Sequence, residues 1–372
     1  DGTRMLSNHE GAGCVLWNVE DGTELARFAG ATGTLSPNGA RVALALVRLG
    51  TEDDDAPRTE LACADGVTGE LMGPWGEAPG WATVLGFVEG SDSFFVELQS
   101  PQNQIQAIKL WDGSSGAMAN QGALLVTVGT DLELTADGEW AAAQGSAYGK
   151  RHDLVLFRPL EGQVVQRIPH PGYVEEIVLA PDGRTVATAY GSRARVWNTA
   201  TGKPFSVELE HGDDIEFLRY DSELGLVLCG SISTEESGYR VQVWDVTPGA
   251  AREPAEWSKA GALQRLELVP GGKDVLALTH DFSDSGDAYH VAQIFDVQTG
   301  EEHRMGFVRT PTRDRIEWRG FQADGAFLTT HGEGGRGEDG ATLSVTRWEP
   351  RGAMIHTRRF RLGDMQGYLD VT

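Results

Sequence analysis

The sequence predicts an all-β protein in which eight four-stranded antiparallel sheets form one closed ring. Two observations support this prediction. A strand-end residue, an aromatic in every copy except the second, is paired with a glycine a few positions later eight times along the 372 residues, and a turn of the Pro-Asp-Gly type recurs between these pairs. A period of this length is typical of repeat architectures, in which one small sheet cannot bury both faces and must stack on its neighbours.

The recurring pair marks the end of a strand and the turn that follows it. The two residues are five positions apart in seven copies and four apart in the last, and successive glycines are 40 to 52 residues apart. The pairs are Trp17/Gly22, Ala64/Gly69, Trp111/Gly116, Phe157/Gly162, Trp197/Gly202, Trp244/Gly249, Phe295/Gly300 and Trp348/Gly352. We expect the structural core of the repeats to contain Trp17, Trp111, Trp197, Trp244, Phe295 and Trp348.

The repeat over residues 174–209 shows most clearly why each unit is a four-stranded sheet. Alternating small and β-branched residues predict a second strand over 185–190. The turn Pro181-Asp182-Gly183 precedes it, since proline presets one φ and glycine accepts a positive one. The first strand then covers 174–180, the third covers 194–198, and residues 203–209 form the fourth.

The two ends of the chain predict how the ring closes. Residues 3–8 and 13–18 match second and third strands, whereas residues 367–372 match a first strand. We therefore expect one domain over 1–372, whose first sheet is shared by 1–30 and 364–372 and whose other seven sheets span 31–363. Closure removes the exposed edge strands that favour aggregation.

The combination of strand, Pro-Asp-Gly turn, strand, and strand ending in Trp-Asp resembles a WD40-type β-propeller. Trp111-Asp112 and Trp244-Asp245 match the family dipeptide, and Phe295-Asp296, Trp17-Asn18 and Trp197-Asn198 are close variants. The resemblance covers the whole chain and is strongest to degenerate, prokaryotic WD40 proteins. It implies a binding scaffold without chemistry of its own.

The family's buried hydrogen-bonded tetrad is expected to be mostly lost in this chain. The family places a histidine before the first strand, and only His170 and His211 are found at comparable positions. Because repeat five also lacks the aspartate expected in its Gly191-Ser192-Arg193 turn, we expect apolar packing to hold the sheets together.

Composition narrows the class of function. The net charge is −24, which makes nucleic-acid binding improbable, and no apolar run has the length of a membrane-spanning helix. The three cysteines lie far apart in apolar runs and are expected to be buried thiols. The compartment is not determined: cytoplasm is favoured, and export stays open because numbering begins at Asp1 and a leader could have been removed.

Long acidic insertions are predicted on one face of the ring. The connections at 50–57, 146–152, 231–238, 281–288 and 332–341 all lie between second and third strands. Loops positioned by a rigid scaffold commonly carry function. The expected partner is a protein or basic peptide, bound by a monomeric domain. The candidate contact residues are Asp53, Asp54, Asp55, Trp75, Trp81, Asp281, Asp284 and Asp287, with Trp257 as a further aromatic.

No catalytic, metal-binding or cofactor-binding residue is predicted. Residues 281–287 resemble the start of a calcium loop, but Ala292 stands where the bidentate acid belongs. Gly332–Gly337 matches G-x-G-x-x-G but precedes a strand, which argues against dinucleotide binding. Two alternatives to a scaffold stay open: a sensor or lid of a larger signalling or hydrolytic protein, and a channel-based enzyme of the eight-bladed quinone-dependent dehydrogenase type.

Overall fold

The computed structural model shows β-strands as the regular structure of the chain. It describes residues 3–9, 13–49, 57–99, 106–118, 124–126, 128–145, 152–233, 238–247, 250, 253–282, 288–308, 316–321, 326–333, 341–348, 354–363 and 369–371. These ranges contain no helix. Their strands form seven four-stranded sheets and one five-stranded sheet, and every strand pairing is antiparallel.

The sheets are numbered here in chain order. Sheet 1 contains β1 (Arg4–His9), β2 (Gly13–Asn18), β3 (Glu24–Ala29) and the last strand, β33 (Leu369–Val371). Sheet 2 contains β4 (Thr32–Leu35), β5 (Arg41–Arg48), β6 (Arg58–Asp65) and β7 (Gly76–Pro79). Sheet 3 contains β8 (Trp81–Phe87), β9 (Ser93–Gln99), β10 (Gln106–Asp112), β11 (Ala117–Met118) and β12 (Leu124–Val126). Sheet 4 contains β13 (Val128–Leu134), β14 (Ala141–Gly145), β15 (His152–Arg158) and β16 (Gln163–His170).

The second half of the chain repeats the pattern. Sheet 5 contains β17 (Glu176–Leu179), β18 (Thr185–Tyr190), β19 (Arg193–Asn198) and β20 (Leu209–Glu210). Sheet 6 contains β21 (Phe217–Asp221), β22 (Leu226–Ser233), β23 (Gly238–Asp245) and β24 (Ala255–Ala260). Sheet 7 contains β25 (Ala262–Leu268), β26 (Asp274–Phe282), β27 (Ala288–Asp296) and β28 (Glu302–Val308). Sheet 8 contains β29 (Ile316–Phe321), β30 (Phe327–Glu333), β31 (Ala341–Trp348) and β32 (Met354–Gly363).

The strand order places the first strand of each sheet at one edge and the fourth at the other. First strands of successive sheets lie side by side, as β13, β17, β21 and β25 do. In sheet 1 the place of the first strand is taken by β33, which pairs antiparallel with β1 through Ser7–Val371, Asn8–Asp370 and His9–Leu369.

Sheet 5 shows how the local sequence produces the turns. The Gly183 amide donates to the Ala180 carbonyl at 2.8 Å, and the Arg184 amide donates to Oδ1 of Asp182 at 3.0 Å. Gly183 has φ +66°, a region that residues with a Cβ rarely occupy. The turn therefore uses the aspartate as an acceptor and the glycine for its backbone freedom.

The fourth strand of sheet 5 is shorter than the sequence predicts, and that of sheet 3 is divided. In sheet 5 the expected strand over 203–209 is reduced to β20, with an isolated bridge between Trp197 and Pro204. Proline has no amide hydrogen to donate to a ladder, and the amides of Phe205 and Ser206 both donate to the Val196 carbonyl instead. In sheet 3 the edge next to β10 is divided between β11 and β12, so this sheet has five strands instead of the predicted four.

The apolar core lies between neighbouring sheets. One cluster joins Ala187 and Val196 of sheet 5 to Leu218 and Val227 of sheet 6. Trp111, Trp197 and Phe295 belong to such clusters and are 1%, 7% and 0% exposed, and Trp17 is 4% exposed. Trp244 is partly buried, and the Trp348 side chain lies outside the described part. Apolar burial of this kind is the main favourable term in folding.

The three cysteines are free and buried. Burial raises the pKa of each thiol, Cys14, Cys63 and Cys229, to about 12, because a thiolate is poorly solvated in apolar surroundings. They pack as small apolar side chains inside the sheets.

Candidate binding face

The described connections define two faces. The short-turn face contains the turns between first and second strands and between third and fourth strands. The loop face contains the connections between second and third strands and those that join one sheet to the next. The five insertions singled out in the sequence all connect a second strand to a third, as between β5 and β6 or β22 and β23. Their tips lie largely outside the described residues.

The acidic residues predicted to contact a partner are described only in part. Asp53, Asp54, Asp55, Asp284 and Asp287 lie outside the described residues. Asp281 is not a loop residue: its backbone belongs to β26, where it pairs with Tyr289. The strands β26 and β27 continue further than the sequence pattern indicates, so the connection between them is limited to residues 283–287.

Trp81 lies on the loop face, at the first position of β8, and its side chain is 44% exposed. The preceding Gly80 amide donates to the Pro57 carbonyl at 2.9 Å, and Oγ1 of Thr59 donates to the Gly80 carbonyl at 2.9 Å. These hydrogen bonds hold Trp81 beside the point at which the chain re-enters sheet 2 after residues 51–56. An exposed aromatic is thus placed at the base of the segment that contains Asp53–Asp55.

Trp75 and Trp257 do not lie in connections on the loop face. Trp75 directly precedes β7 at the outer edge of sheet 2. The chain here is close to a short turn of sheet 3, because a Cβ on the nearby Gly73 would be 2.5 Å from the Ser114 carbonyl oxygen. Trp257 is in β24, is 8% exposed, and packs against Phe295 with ring centroids 6.2 Å apart. The strand pairing, which the sequence does not specify, decides both positions.

The loop face contains an acidic cluster that sequence reasoning missed. Glu175 lies in the connection from sheet 4 to sheet 5, and Asp214 and Glu216 lie in the next connection; all three are exposed. Desolvation, followed by the charge of Asp214 and then that of Glu216, raises the pKa of the Glu175 carboxyl, while a hydrogen bond with the Gly191 backbone opposes this shift. In the sequence, this cluster is visible only as separate acidic residues in the connections between sheets. Their convergence is seen only in the tertiary structure.

The cations near this cluster already have other partners. Arg193 pairs with Glu208 at 3.1 Å, and Arg240 pairs with Asp213 at 3.2 Å. Within the described part of the chain, no lysine or arginine forms an ion pair with Glu175, Asp214 or Glu216. The cluster is therefore a local concentration of negative charge facing solvent.

Aromatic surface lies next to this cluster. Tyr173, two residues before Glu175, is 48% exposed, and its ring is in edge contact with the ring of His152, with centroids 5.8 Å apart. His152 begins β15, directly after the 146–151 segment on the same face. Exposed aromatics beside carboxylates provide both contact area and charge for a cationic ligand.

A cavity of about 280 Å³ lies on the short-turn face between sheets 2 and 3, and Ser36, Arg41 and Asp92 are among its lining residues. Nε of Arg41 donates to Oδ1 of Asp92 at 2.5 Å, and Nη1 of Arg41 is 3.6 Å from Asp65. The ion pair between Arg41 of sheet 2 and Asp92 of sheet 3 therefore connects the two sheets at this cavity.

Buried hydrogen-bond networks survive in more sheets than expected. In sheet 5, Nε1 of Trp197 donates to Oγ1 of Thr188 at 2.9 Å, and that oxygen is 3.0 Å from Nε2 of His170. Nδ1 of His170 is 3.0 Å from the Ile168 carbonyl. His170, which the sequence places at the family position, thus belongs to a network that keeps three of the four partners, and the aspartate is the partner that this repeat lacks.

Sheets 1 and 6 contain related networks. In sheet 1, Nε1 of Trp17 donates to Oγ of Ser7 at 2.8 Å, and Oγ is 2.9 Å from Nε2 of His9. His9 lies on β1 itself and not before a first strand, so the family spacing could not reveal it. In sheet 6, His211 contacts Oγ of Ser231 at 2.9 Å and Oε1 of Gln242 at 3.0 Å.

These networks predict a loss of stability in mild acid. Desolvation by burial lowers the pKa of His170, His211 and His9 below the ordinary value of 6.5, so protonation favours the unfolded chain. Their contribution to stability is complete above pH 6.5 and falls as the pH drops below it, by up to about 1.4 kcal/mol per pH unit for each histidine. Urea unfolding at pH 7.5, 6.5 and 5.5 should show this decline.

The variant His170→Gln separates this effect from a general loss of stability. It should reduce the slope of unfolding free energy against pH, whatever its stability at pH 7.5. The matched variant Val186→Ala destabilises the same sheet without removing a titratable group, and it should leave the slope unchanged. Equal slopes in the wild type and in His170→Gln would contradict the assignment of His170.

The chain matches no family model and no curated protein. Its structure resembles solved structures over nearly its full length at low sequence identity. It superposes on dihydro-heme d1 dehydrogenase NirN with a TM-score of 0.62 and 14% identity, covering 97% of this chain and 74% of that one. On a eukaryotic initiation factor the TM-score is 0.54 with 12% identity and 96% coverage of both chains.

The structure also resembles a solved WD40 domain. The C-terminal WD40 domain of Sif2 superposes with a TM-score of 0.51 and 13% identity over 80% of this chain and 78% of that one. With the repeated antiparallel sheets, this likeness confirms that the chain has the fold of a WD40-type β-propeller. No helix of the described residues is long and apolar enough to span a membrane.

Proposed function

We propose that this propeller is a protein-binding scaffold that recognises a basic peptide segment or loop on its loop face. The observation that supports it most is the cluster of Glu175, Asp214 and Glu216, which has no cationic partner in the described chain and lies beside exposed Tyr173. A ligand that carries lysine or arginine would relieve the repulsion among these carboxylates.

The acidic insertions extend the same surface in this proposal. Asp53, Asp54 and Asp55 would act with Trp81 at one part of the face. Asp284 and Asp287, with Asp281 near the end of β26, would act at another. With a net charge of −24, the whole molecule also attracts cationic ligands, which increases association rates. Since exposed ion pairs contribute only about 0.2–1 kcal/mol each, the aromatics must supply part of the affinity.

The enzymatic alternative, which the fold likeness to NirN brings forward, has less support from the side chains. In His170 and His211 both ring nitrogens are engaged in hydrogen bonds inside their sheets. These buried imidazoles are structural acceptors and donors, and so they are poorly placed to bind a cofactor. A sensor or lid role within a larger protein is compatible with the same binding face.

A peptide selection tests the proposal. A random peptide display library would be selected on the full chain at low salt, and the affinities of the recovered peptides would be measured by titration. We expect sequences enriched in lysine and arginine. The triple variant Glu175→Gln, Asp214→Asn, Glu216→Gln should bind them roughly tenfold more weakly, which corresponds to about 0.5 kcal/mol for each lost charge.

The matched control removes three charges from the other face. Glu20, Glu70 and Glu301 are exposed residues of short turns between third and fourth strands. Changing all three to glutamine should leave affinity unchanged. Selection of uncharged peptides, or equal binding by both triple variants, would refute recognition on the loop face.

We further propose that the eight sheets are the eight blades of one closed ring, with β33 completing the blade that begins with β1. The pairing of Ser7 with Val371 and of His9 with Leu369 supports this closure. Removing residues 364–372 should expose the edge of β1 and lower the thermal midpoint by roughly 2–5 °C. Electron-microscopy averages of the intact chain should show eight blades; a different count, or an unchanged midpoint after truncation, would contradict closure.

A further inference from the structure

We propose that Asp274, Asp296 and His303 form a binding site for a divalent first-row transition metal ion, such as Zn²⁺, on the short-turn face of sheet 7. The ligand atoms of the three side chains all lie within 4.8 Å of one another. Nε2 of His303 is 3.2 Å from Oδ1 of Asp274 and 4.0 Å from Oδ2 of Asp296. The site is opposite the loop face and does not depend on peptide recognition.

The strand register brings the two carboxylates together. Asp274 begins β26 and is the direct cross-strand partner of Asp296, which ends β27. Like charges directly opposite one another destabilise an antiparallel pair unless a cation offsets them. The corresponding positions of sheet 2 hold a compensated pair, Arg41 and Asp65.

A β-bulge brings the histidine to this pair. Ile294 pairs with Arg304 and Phe295 pairs with Glu302, so His303 is the extra residue of the bulge in β28. Bulges re-aim side chains, and this one turns the imidazole towards the two carboxylates. The same bulge position is occupied by Leu25 in sheet 1 and by Val165 in sheet 4, both apolar.

The Asp296 carboxylate is held in the orientation that the site needs. Its Oδ1 accepts hydrogen bonds from the amides of Gln298 and Thr299, at 3.0 and 2.8 Å, and from Oγ1 of Thr299 at 2.9 Å. Its Oδ2 is the oxygen that faces His303. The turn thus fixes Oδ1 and directs Oδ2 to the other two ligands. Because the carboxylate is already oriented, less side-chain entropy is lost when the metal ion binds.

The donor set indicates the class of ion. One imidazole nitrogen and two carboxylate oxygens suit Zn²⁺ and its neighbours, whereas Mg²⁺ and Ca²⁺ prefer oxygen ligands alone. Three protein ligands leave the fourth position of a tetrahedral ion for water. An ion can reach the site from solvent, because the side chain of His303 is 48% exposed and those of the two aspartates are 33% exposed. Ligand atoms on a tetrahedral zinc are about 3.3–3.5 Å apart, so binding requires only a small closure of these side chains.

A divalent ion suits this site because its charge matches that of the two carboxylates. Among the described side chains, His303 is the only basic side chain within ion-pair distance of Asp274 and Asp296. The two carboxylates carry two negative charges, which one divalent ion balances. This charge match favours a metal ion as the occupant.

Cobalt titration of the full chain tests the proposal. Protein freed of metal with EDTA would be titrated with Co²⁺ while its visible d–d absorption is recorded, and Zn²⁺ would then be added as a competitor. We expect one Co²⁺ per chain in an environment of low coordination number, displaced by Zn²⁺. The variants Asp274→Asn and His303→Gln should each weaken binding at least tenfold, while Glu301→Gln, a lost charge on the same face of the same sheet, should not.

Thermal unfolding provides a second measurement. Zn²⁺ should raise the midpoint of the wild type and of Glu301→Gln but not that of His303→Gln. A Co²⁺ spectrum identical to that of the aqueous ion would overturn the proposal, and the three side chains would then form only an ion pair. Binding that neither Asp274→Asn nor His303→Gln weakens would also overturn it. Peptide affinities should be the same with and without Zn²⁺, so failure of this site and failure of the proposed function are distinguishable.

Discussion

Replacing Trp111 by alanine is expected to destabilise the protein by about 3–5 kcal/mol. Trp111 is 1% exposed and packs with Phe94, Val96 and Cys63 in the cluster between sheets 2 and 3. Truncation would leave a cavity that strands held in hydrogen-bonded ladders cannot easily collapse to fill. Urea unfolding followed by circular dichroism measures the loss.

Substitution by phenylalanine separates volume from hydrogen bonding at this site. In the described structure the indole Nε1 of Trp111 is buried without a hydrogen-bond partner, whereas Nε1 of Trp197 donates to Thr188. Trp111→Phe removes an unsatisfied donor that costs about 1–3 kcal/mol, so its net effect should be small, and Trp197→Phe should cost more. A larger loss for Trp111→Phe than for Trp197→Phe would contradict this view of the core.

Replacing Gly76 by alanine is expected to cost about 3 kcal/mol, because it forces two sheets apart. A Cβ at Gly76 would lie 1.8 Å from the Gly116 carbonyl oxygen and 2.5 Å from the Trp111 ring. The nearest obstacle is backbone, which cannot rotate away as a side chain can. Thermal and urea unfolding should both show the loss, and the fluorescence of the buried tryptophans should change.

Gly172→Ala is the matched control for this prediction. A Cβ at Gly172 would meet nothing within 4 Å, and Gly172 is not among the glycines with positive φ. Its substitution should change the free energy of unfolding by no more than about 0.5 kcal/mol, or slightly stabilise the chain. Similar effects of the two substitutions would show that sheets 2 and 3 are not in close contact at Gly76.

The candidate binding face could be predicted only in outline. The five long insertions all join second strands to third strands, as their sequence positions indicate. Trp81 is at the expected face, but Trp75 is at an outer edge and Trp257 is in a core. An aromatic residue before a strand has the same local sequence whether it faces solvent or a neighbouring sheet, so only the stacking of sheets separates these cases.

The repeat, the antiparallel sheets and their turns follow from local patterns in the sequence. Residues 185–190 form a strand at the predicted bounds, and Gly183 has the positive φ that its turn requires. These features depend on alternation and on turn chemistry, which act over a few neighbouring residues.

The convergence of side chains that are distant in sequence depends on how the sheets pack against one another. Glu175 and Asp214 belong to connections 39 positions apart, and Gly76 is close to Gly116 because sheet 3 stacks on sheet 2. His303 reaches Asp274 through a bulge that its own sequence does not announce. Register and stacking arise from the packing of whole sheets, so no local pattern records them.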